Sequence, residues 1–323
     1  MNISSDSVNH LIKECISDNA NSVLVIYDDT TENILQYFEE ALTKCGKIYS
    51  VVKIDTAICH GQEPSLEVYD KMMLVQAVIC LTEYSLAHTK ARFDAEKKGI
   101  AFLSMPGYSA ELIENAALLA EYSAKKEQVN KYADMLTNAT DIHVVTNLGT
   151  DLYLHVKERT GNSCPGLTDD QFLLGSPPDI EANIAPVENL TEGIIVIDGS
   201  VTDWRIGCVN DNVILRIEEG KIVSIESDDK QLAECIRQIF AEIEDEKAYY
   251  VGELGIGFND LARLCGNMLV DEGTMGCIHF GMGSNWTIGG ENKVGFHLDF
   301  VMKNATVYFD NIIVIKDGEL LYE

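Results

Sequence analysis

The chain has 323 residues, enough for two domains or one large α/β domain with a buried core, and 46% of them are apolar. Its 24 basic and 52 acidic residues give a formal charge of −28, which repels phosphate groups and argues against nucleic acid as a partner. No apolar run approaches the roughly 20 residues that span a bilayer, and the N-terminus lacks the basic-then-apolar order of a signal peptide, so we expect a cytoplasmic protein with no membrane partner.

The first third of the chain alternates between strand-like and helix-like segments. Continuous apolar runs predict strands at residues 22–29, 47–54, 76–81 and 100–105. Apolar residues at helical spacing, with cap and stop residues, predict helices at residues 31–46, 65–74 and 85–99. This βαβα order predicts a doubly wound parallel sheet, and hence an N-terminal α/β domain of residues 1–124.

The composition changes after a long helix that we predict at residues 109–138. Strand-like segments joined by Gly, Asn and Asp turns follow at residues 141–158, 193–201, 212–227 and 304–323. Helical spacing returns only at residues 229–245 and 259–269. We therefore predict a C-terminal α+β domain, residues 125–323, with mainly antiparallel or mixed sheets.

A histidine and an aspartate lie two residues apart near the C-terminus, in the apolar run "GFHLDF". Side chains at positions i and i+2 of a strand point to the same side, so His297 and Asp299 could both reach one metal ion. The same pattern fits the polar face of an ordinary half-buried strand. Spacing alone leaves both interpretations open.

Two more residues with metal-binding side chains lie in apolar segments nearby. His279 stands in "GCIHFGMGSNW" and Glu253 in "AYYVGELGIG", and a carboxylate is seldom buried without a partner. Two imidazoles and a carboxylate are the minimal set for a catalytic Zn²⁺ or non-haem Fe²⁺ site, and a further carboxylate would permit a second ion or a general base. Glycines crowd the same region, either as hairpin turns or because the backbone approaches another group closely.

His88 is the one residue of the first domain that suggests chemistry. It follows the predicted strand 76–81, so we place it in the first turn of the next helix, at the edge of the sheet where doubly wound folds bind ligands. A helix N-terminus disfavours the imidazolium and lowers its pKa. His88 is therefore either a candidate acid or base, or a histidine that only hydrogen-bonds within the start of the helix.

Residues 252–301 resemble the thermophilic aminopeptidase-T-like metallopeptidases. The shared motifs are G-E-x-x-x-G, G-N-x-L-x-D-E, G-x-x-H and H-x-D, and the resemblance extends to residues 183–201, "SLAHTKAR" and "SMPG". Short members of this superfamily include the 2,5-dihydroxypyridine 5,6-dioxygenases, which open an aromatic ring at Fe²⁺. The resemblance implies a homodimer with an internal cavity for small substrates, and metal-site positions at Glu188, Glu253, His279, His297 and Asp299.

Two activities follow from this resemblance. The first is aminopeptidase-like hydrolysis of a small peptide or amide, in which Zn²⁺, Co²⁺ or Mn²⁺ activates water and Glu253 takes its proton. The alternative is an Fe²⁺-dependent ring-opening dioxygenase acting on a small hydroxylated, pyridine-type aromatic, with His88 as acid or base. Trp286 stands where the aminopeptidases have a tyrosine, which weakens the case for hydrolysis. A third possibility is a family member that binds a ligand without turnover.

Overall fold

The computed structural model describes residues 3–322, so predictions for residues 1, 2 and 323 lie outside it. The chain forms two compact units. The first comprises Met1–Ala124 and Cys164–Pro178, and the second comprises Lys125–Ser163 and Asp179–Glu323. The segment Cys164–Pro178, which we assigned to the C-terminal domain, belongs to the first unit because it adds a strand to the parallel sheet there. No helix within residues 3–322 has the length and apolar character needed to cross a membrane.

The strands, in chain order, are β1 (Ser22–Tyr27), β2 (Ile48–Lys53), β3 (Ala77–Thr82), β4 (Ala101–Pro106), β5 (Asp141–Val145), β6 (Asp151–His155), β7 (Asn162–Cys164), β8 (Leu174–Gly175), β9 (Glu181–Ile184), β10 (Glu192–Ile197), β11 (Ser200–Val201), β12 (Gly207–Cys208), β13 (Val213–Glu218), β14 (Lys221–Ser227), β15 (Val251–Gly257), β16 (Ile278–Gly283), β17 (His297–Met302), β18 (Thr306–Phe309), β19 (Ile312–Lys316) and β20 (Glu319–Leu320). The α-helices are α1 (Ile3–Cys15), α2 (Leu35–Lys44), α3 (Leu66–Met72), α4 (Lys90–Lys97), α5 (Tyr122–Asn138), α6 (Lys230–Ala241) and α7 (Met268–Gly273), with short 3-10 helices at Leu112–Glu114, Ala116–Leu119, Glu246–Tyr249 and Trp286–Ile288.

The first unit is built on a five-stranded sheet of order β2-β1-β3-β4-β8, and every pairing in it is parallel. Strands β3 and β4 are buried along their whole length, as continuous apolar runs require. Helix α2 buries Leu35, Phe38, Ala41 and Leu42, which recur at helical spacing. The predicted doubly wound α/β fold is confirmed.

The long helix predicted at residues 109–138 is shorter in the structure. Helix α5 begins at Tyr122, and two 3-10 turns precede it. Asn115 lies between these turns in an extended conformation, and its side chain accepts a hydrogen bond from the amide of Ala117. A short polar side chain that bonds the nearby backbone in this way competes with the helix, which explains the late start.

The helix predicted at residues 259–269 is also largely replaced by turns. Only α7 forms, from Met268, whereas the predicted helix at residues 229–245 appears as α6. The side chain of Asn259 accepts hydrogen bonds from the amides of Leu261 and Ala262. An asparagine that closes such a turn replaces the first turn of a helix.

The second unit contains two sheets with antiparallel pairing. Their strand orders are β14-β13-β10-β6-β5-β18-β19-β20 and β12-β11-β17-β16-β15-β9-β7. Consecutive hairpins such as β5–β6 and β13–β14 account for much of the first sheet. The predicted α+β character is confirmed, and the seven-stranded sheet contains all the strands that matter for the candidate site.

Candidate metal centre

Four neighbouring strands of the seven-stranded sheet present candidate metal ligands on one face. They follow the order β17-β16-β15-β9, and the residues are His297 and Asp299 on β17, His279 on β16, Glu253 on β15 and Glu181 on β9. Leu298 and Phe300 alternate with the pair on β17 and are buried on the opposite face. His297 and Asp299 thus project to the same side, as their spacing predicts.

Among residues 3–322, these five side chains form two overlapping groups. In each group three ligand atoms lie within 4.8 Å of one another, from Glu181, Glu253 and His279, and from Glu253, His297 and Asp299. His297 Nε2 lies 3.0 Å from Asp299 Oδ1 and 3.2 Å from Glu253 Oε2. His279 Nε2 lies 3.1 Å from Glu181 Oε2. Glu253 therefore joins the two groups, and we call the five residues the ligand cluster.

Each residue of the ligand cluster pairs in register with a glycine on an adjacent strand. The pairs are His279–Gly255, Asp299–Gly281, Glu253–Gly281, His297–Gly283 and Glu181–Gly257. A Cβ atom at Gly255 would lie 2.1 Å from the ring of His279, and one at Gly281 would lie 2.5 Å from the ring of His297. Gly255 and Gly281 lie within strands, so their role is to let an imidazole lie across a neighbouring backbone, not to form hairpin turns.

Hydrogen bonds to neighbouring groups orient the side chains of the cluster. His297 Nδ1 lies 2.9 Å from the carbonyl oxygen of Ser284. Because a carbonyl can only accept, Nδ1 donates to it, and Nε2 is the ring nitrogen that faces the two carboxylates. Asp299 Oδ2 accepts from Thr202 Oγ1 at 3.4 Å, and Glu181 Oε1 accepts from Asn183 Nδ2 at 2.6 Å.

Two further carboxyl groups border the cluster, and the negative charge collected there shifts their pKa values. Burial and the neighbouring carboxylates raise the pKa of Asp179 well above its ordinary value, and burial and the charge of Asp299 do the same for Glu272. Burial also raises the pKa of Glu253. The pKa of Asp299 is lowered instead, because the charge of His297 outweighs the effect of burial.

The pKa values of the two imidazoles are raised as well, but against the effect of burial. Burial alone would lower the pKa of His279, but Glu181, Glu253 and Asp299 raise it to about 9. The pKa of His297, whose side chain is 35% exposed, is raised well above its ordinary value by the negative charge of Asp299 and Glu253. Both shifts show that the surroundings favour positive charge.

The residues present fit a divalent cation. Imidazole nitrogens and carboxylate oxygens are the donors that Zn²⁺ and non-haem Fe²⁺ use. Oδ1 of Asp179, Oε1 of Glu272 and Nδ1 of His279 are buried and make no hydrogen bond, which is costly in a site filled only by protein atoms. The glycines keep backbone and side chains out of the space around the imidazoles. A cation would neutralise the excess of carboxyl groups over imidazoles.

Metal affinity is expected to rise with pH. Because the pKa of His279 is raised from 6.5 to about 9 in the folded, ion-free protein, its imidazole is protonated at neutral pH and an incoming cation must displace that proton. The affinity for Co²⁺, measured by calorimetric titration, should increase by about 10-fold per pH unit for each proton released. Protonated His279 also stabilises the ion-free fold below about pH 6.5, and this contribution is lost as the pH rises toward 9. A Co²⁺ affinity that does not vary with pH would contradict this assignment.

Glu188, a metal-site position in the sequence prediction, lies outside both groups. It stands in the turn between β9 and β10, where its Oε2 accepts from Arg159 Nη2 at 2.6 Å. Its Oε1 accepts from Asn285 Nδ2 at 3.0 Å and from the amide of Glu291 at 2.6 Å. Burial would raise the pKa of Glu188, but these donors lower it. The structure brings Glu181, not Glu188, to the other candidate ligands.

Sequence reasoning missed Glu181, although a signal for it exists. Glu181 stands in the apolar segment "DIEANIA", so the argument that a carboxylate in such a segment needs a partner applies to it as it does to Glu253. Asp179 opens the same segment. For Glu272, which follows another acid at the end of a short helix, the local pattern resembles a solvated helix terminus.

His88 lies in the first unit, in the turn that follows β3, and its side chain is exposed. Its position beyond the carboxyl end of β3 agrees with the prediction, but the helix starts later than expected. Thr89 is the N-cap of α4, since its hydroxyl accepts from the amide of Arg92, and the helix begins at Lys90. His88 therefore precedes the cap, and its role as acid or base stays a prediction.

Comparison with known proteins places this geometry in context. The family model for 2,5-dihydroxypyridine 5,6-dioxygenase (NicX) matches residues 6–322. A curated relative of that name from Pseudomonas putida KT2440 is 24% identical over 207 residues, which are 61% of this chain and only 58% of the relative.

The solved structures that share the fold include two with informative descriptions. The 2,5-dihydroxypyridine dioxygenase of Pseudomonas putida KT2440 superposes with a TM-score of 0.82 at 18% identity, covering 98% of this chain and 96% of that one. Wild-type AmpT from Thermus thermophilus superposes with a TM-score of 0.70 at 14% identity, covering 98% and 99%. The predicted resemblance to the 2,5-dihydroxypyridine 5,6-dioxygenases is confirmed by the family model, and the likeness to AmpT shows that the fold is shared.

The expectation of an aminopeptidase-like hydrolase is wrong. The matching family model and the curated relative are both described as a dioxygenase, and the likeness to AmpT concerns the fold alone. The family is one of enzymes, and a small-molecule substrate suits it. A divalent metal ion, Fe²⁺ for a dioxygenase, fits both the family and the two groups of ligand atoms.

Proposed function

This chain belongs to the 2,5-dihydroxypyridine 5,6-dioxygenase family, and from that premise we propose that it is an Fe²⁺-dependent dioxygenase that opens the ring of a small, hydroxylated, pyridine-type aromatic. The observation that carries the proposal is the ligand cluster, in which imidazole and carboxylate donors from four adjacent strands converge on one face of a sheet. A redox-active ion with imidazole and carboxylate ligands and open positions is what such an oxygenase needs.

We assign the ion to His297, Asp299 and Glu253, with His279 and Glu181 as adjacent donors. Because Nδ1 donates to the carbonyl of Ser284, Nε2 is the nitrogen of His297 that would bind the ion, after it has lost its own proton. Burial of Glu253 and Asp299 strengthens their attraction for a cation, because little water screens them. Bound there, Fe²⁺ would supply the redox chemistry by which O₂ reacts with the ring.

An oxygen-uptake experiment tests the proposal. The protein is purified without air, loaded with Fe²⁺ and mixed with 2,5-dihydroxypyridine and O₂. We expect O₂ consumption in step with loss of the aromatic absorbance. Both atoms of ¹⁸O₂ should appear in the product, because a dioxygenase transfers both oxygen atoms to its substrate and therefore needs no external reductant. Protein loaded with Zn²⁺, which has no redox chemistry, is the matched control and should consume no O₂. The proposal fails if the Fe²⁺-loaded protein consumes no O₂ with any hydroxypyridine, or if Zn²⁺ supports the same rate.

Several expectations stay predictions alongside this proposal. They are the homodimer, the cytoplasmic location, the absence of nucleic-acid and membrane partners, and the role of His88 as acid or base. The role of Glu253 as a proton acceptor also stays a prediction. Its raised pKa is compatible with carrying a proton.

A further inference from the structure

The loop between β16 and β17, residues 284–296, is folded around one buried side chain. Asn285 is fully buried, and its Oδ1 accepts from the amide of Asn292 at 2.8 Å. Its carbonyl oxygen accepts from the amide of Gly290 at 2.9 Å. A Cβ atom at Gly290 would lie 2.0 Å from the side chain of Asn285. The loop therefore packs tightly around Asn285 in one conformation.

Two residues outside the loop hold it from one side. Arg159 donates to Glu188 Oε2 at 2.6 Å and, with its other terminal nitrogen, to the carbonyl of Gly289 at 2.8 Å. Glu188 Oε1 accepts from the side chain of Asn285 at 3.0 Å and from the amide of Glu291 at 2.6 Å. The Arg159 and Glu188 side chains are only 12% and 19% exposed. The Arg159–Glu188 pair is shielded from water and also bonds the loop backbone. It therefore stabilises the loop more than an ion pair on the surface would.

The first residue of the same loop contacts a residue of the ligand cluster. The amide of Ser284 donates to the carbonyl of Phe296 at 2.8 Å, and its own carbonyl accepts from His297 Nδ1 at 2.9 Å. Asn292 donates from its side chain to the carbonyl of Gly283 at 2.7 Å. The conformation of the loop thus determines where the Ser284 carbonyl lies, and with it the orientation of the His297 ring.

We propose that the Arg159–Glu188 pair positions His297: it holds loop 284–296 in the conformation in which the Ser284 carbonyl directs Nε2 of His297 toward Asp299 and Glu253. This inference rests on the proposed function, because it takes His297 to be a metal ligand. In this proposal Glu188 does not bind the ion itself but positions His297, which does. An ion pair that served stability alone would leave metal affinity unchanged.

The test uses Co²⁺ alone as the probe and the loop tryptophan as a reporter. The chain has two tryptophans, and Trp204 is 90% exposed, so Trp204→Phe leaves Trp286 as the only tryptophan. In that background Glu188→Ala should lower the fluorescence anisotropy of Trp286, because the loop loosens. It should also weaken Co²⁺ binding by roughly 10-fold, the lower end of what outer-shell partners contribute. The Co²⁺ absorption spectrum at saturation should keep its shape, since no ligand is removed.

Two variants serve as controls. Glu218→Ala removes an equal charge from an exposed position on β13 and should change Co²⁺ affinity by no more than about twofold. Arg159→Lys keeps the charge but cannot donate to Glu188 and Gly289 in the same forked geometry. Arg159→Lys should therefore loosen the loop and weaken Co²⁺ binding. Because the charge is kept, both effects should be smaller than those of Arg159→Ala. If Glu188→Ala does not fold, Glu188→Gln, which keeps one acceptor oxygen, replaces it.

Three outcomes would overturn the inference. One is that Glu188→Ala loosens the loop but keeps a Co²⁺ affinity within about twofold of the parent protein, which is the range expected of a neutral surface change. Another is that Glu188→Ala loses as much Co²⁺ affinity as His297→Ala does and also changes the Co²⁺ absorption spectrum, because Glu188 would then be a ligand. If the parent protein binds no Co²⁺ at all, the proposed function fails and this inference falls with it. The first two outcomes leave the proposed function intact.

Discussion

His297→Ala is expected to abolish Fe²⁺ binding and the O₂ uptake that depends on it. The substitution removes the Nε2 atom that lies 3.0 Å from Asp299 and 3.2 Å from Glu253. It also leaves those two buried carboxyl groups without the imidazole between them, so they repel each other unless one takes up a proton. The loss of affinity should exceed the roughly 10- to 100-fold that removal of an outer-shell partner causes.

Iron content after anaerobic gel filtration, followed by O₂ uptake, measures this effect. His155→Ala is the matched control, because it removes an imidazole of the same unit whose Nδ1 lies 2.7 Å from Asp141, outside the ligand cluster. It should retain both iron and activity. If His297→Ala kept the iron content of the wild-type protein, the ion would have to be held by other residues.

Gly255→Ala is expected to lose metal binding although it removes no ligand. The added methyl group would lie 2.1 Å from Cε1 and Nε2 of His279, so the ring must leave its place across β15. Such overpacking in a buried strand costs about 1–3 kcal/mol of folding stability. The larger effect should be on the metal, because the displaced imidazole no longer faces Glu181 and Glu253.

The measurements are Co²⁺ affinity and thermal unfolding, with Gly295→Ala as the control. A Cβ atom at Gly295 would meet nothing within 4 Å, so the same chemical change there should leave both quantities nearly unaltered. Normal Co²⁺ binding by Gly255→Ala would mean that His279 does not contribute to the site in its present orientation. A loss of stability with normal binding would lead to the same conclusion.

Local pattern was sufficient for much of the fold. The βαβα order predicted the parallel sheet, and Gly, Asn and Asp turns predicted hairpins such as β13–β14. The hairpins rest on interactions between residues close in the chain, whereas the parallel sheet, which pairs distant residues such as Val23 and Ala77, follows from the alternation of strands and helices. The predictions failed where a single side chain altered the backbone, as Asn115 and Asn259 did, because propensity averaged over a window does not register one local hydrogen bond.

The choice of carboxylates depended on contacts that are distant in sequence. Glu188 and Glu181 lie on the same short stretch, and both are acids beside apolar residues. Arg159, from another loop, pairs with Glu188, whereas the pairing of β9 with β15 brings Glu181 to His279. The residues adjacent in sequence to either glutamate do not identify these partners.

The sequence by itself determined that His297 and Asp299 share one side of a strand, because side chains alternate with a period of two wherever a strand forms. It also determined that the glycines of β15 and β16 could admit a closely approaching group. Only the tertiary structure decided which strands are neighbours and in which register, and so which carboxylates meet the imidazoles. Register is fixed by pairing across the whole sheet, and this is why residues from four strands converge at a site that no single segment describes.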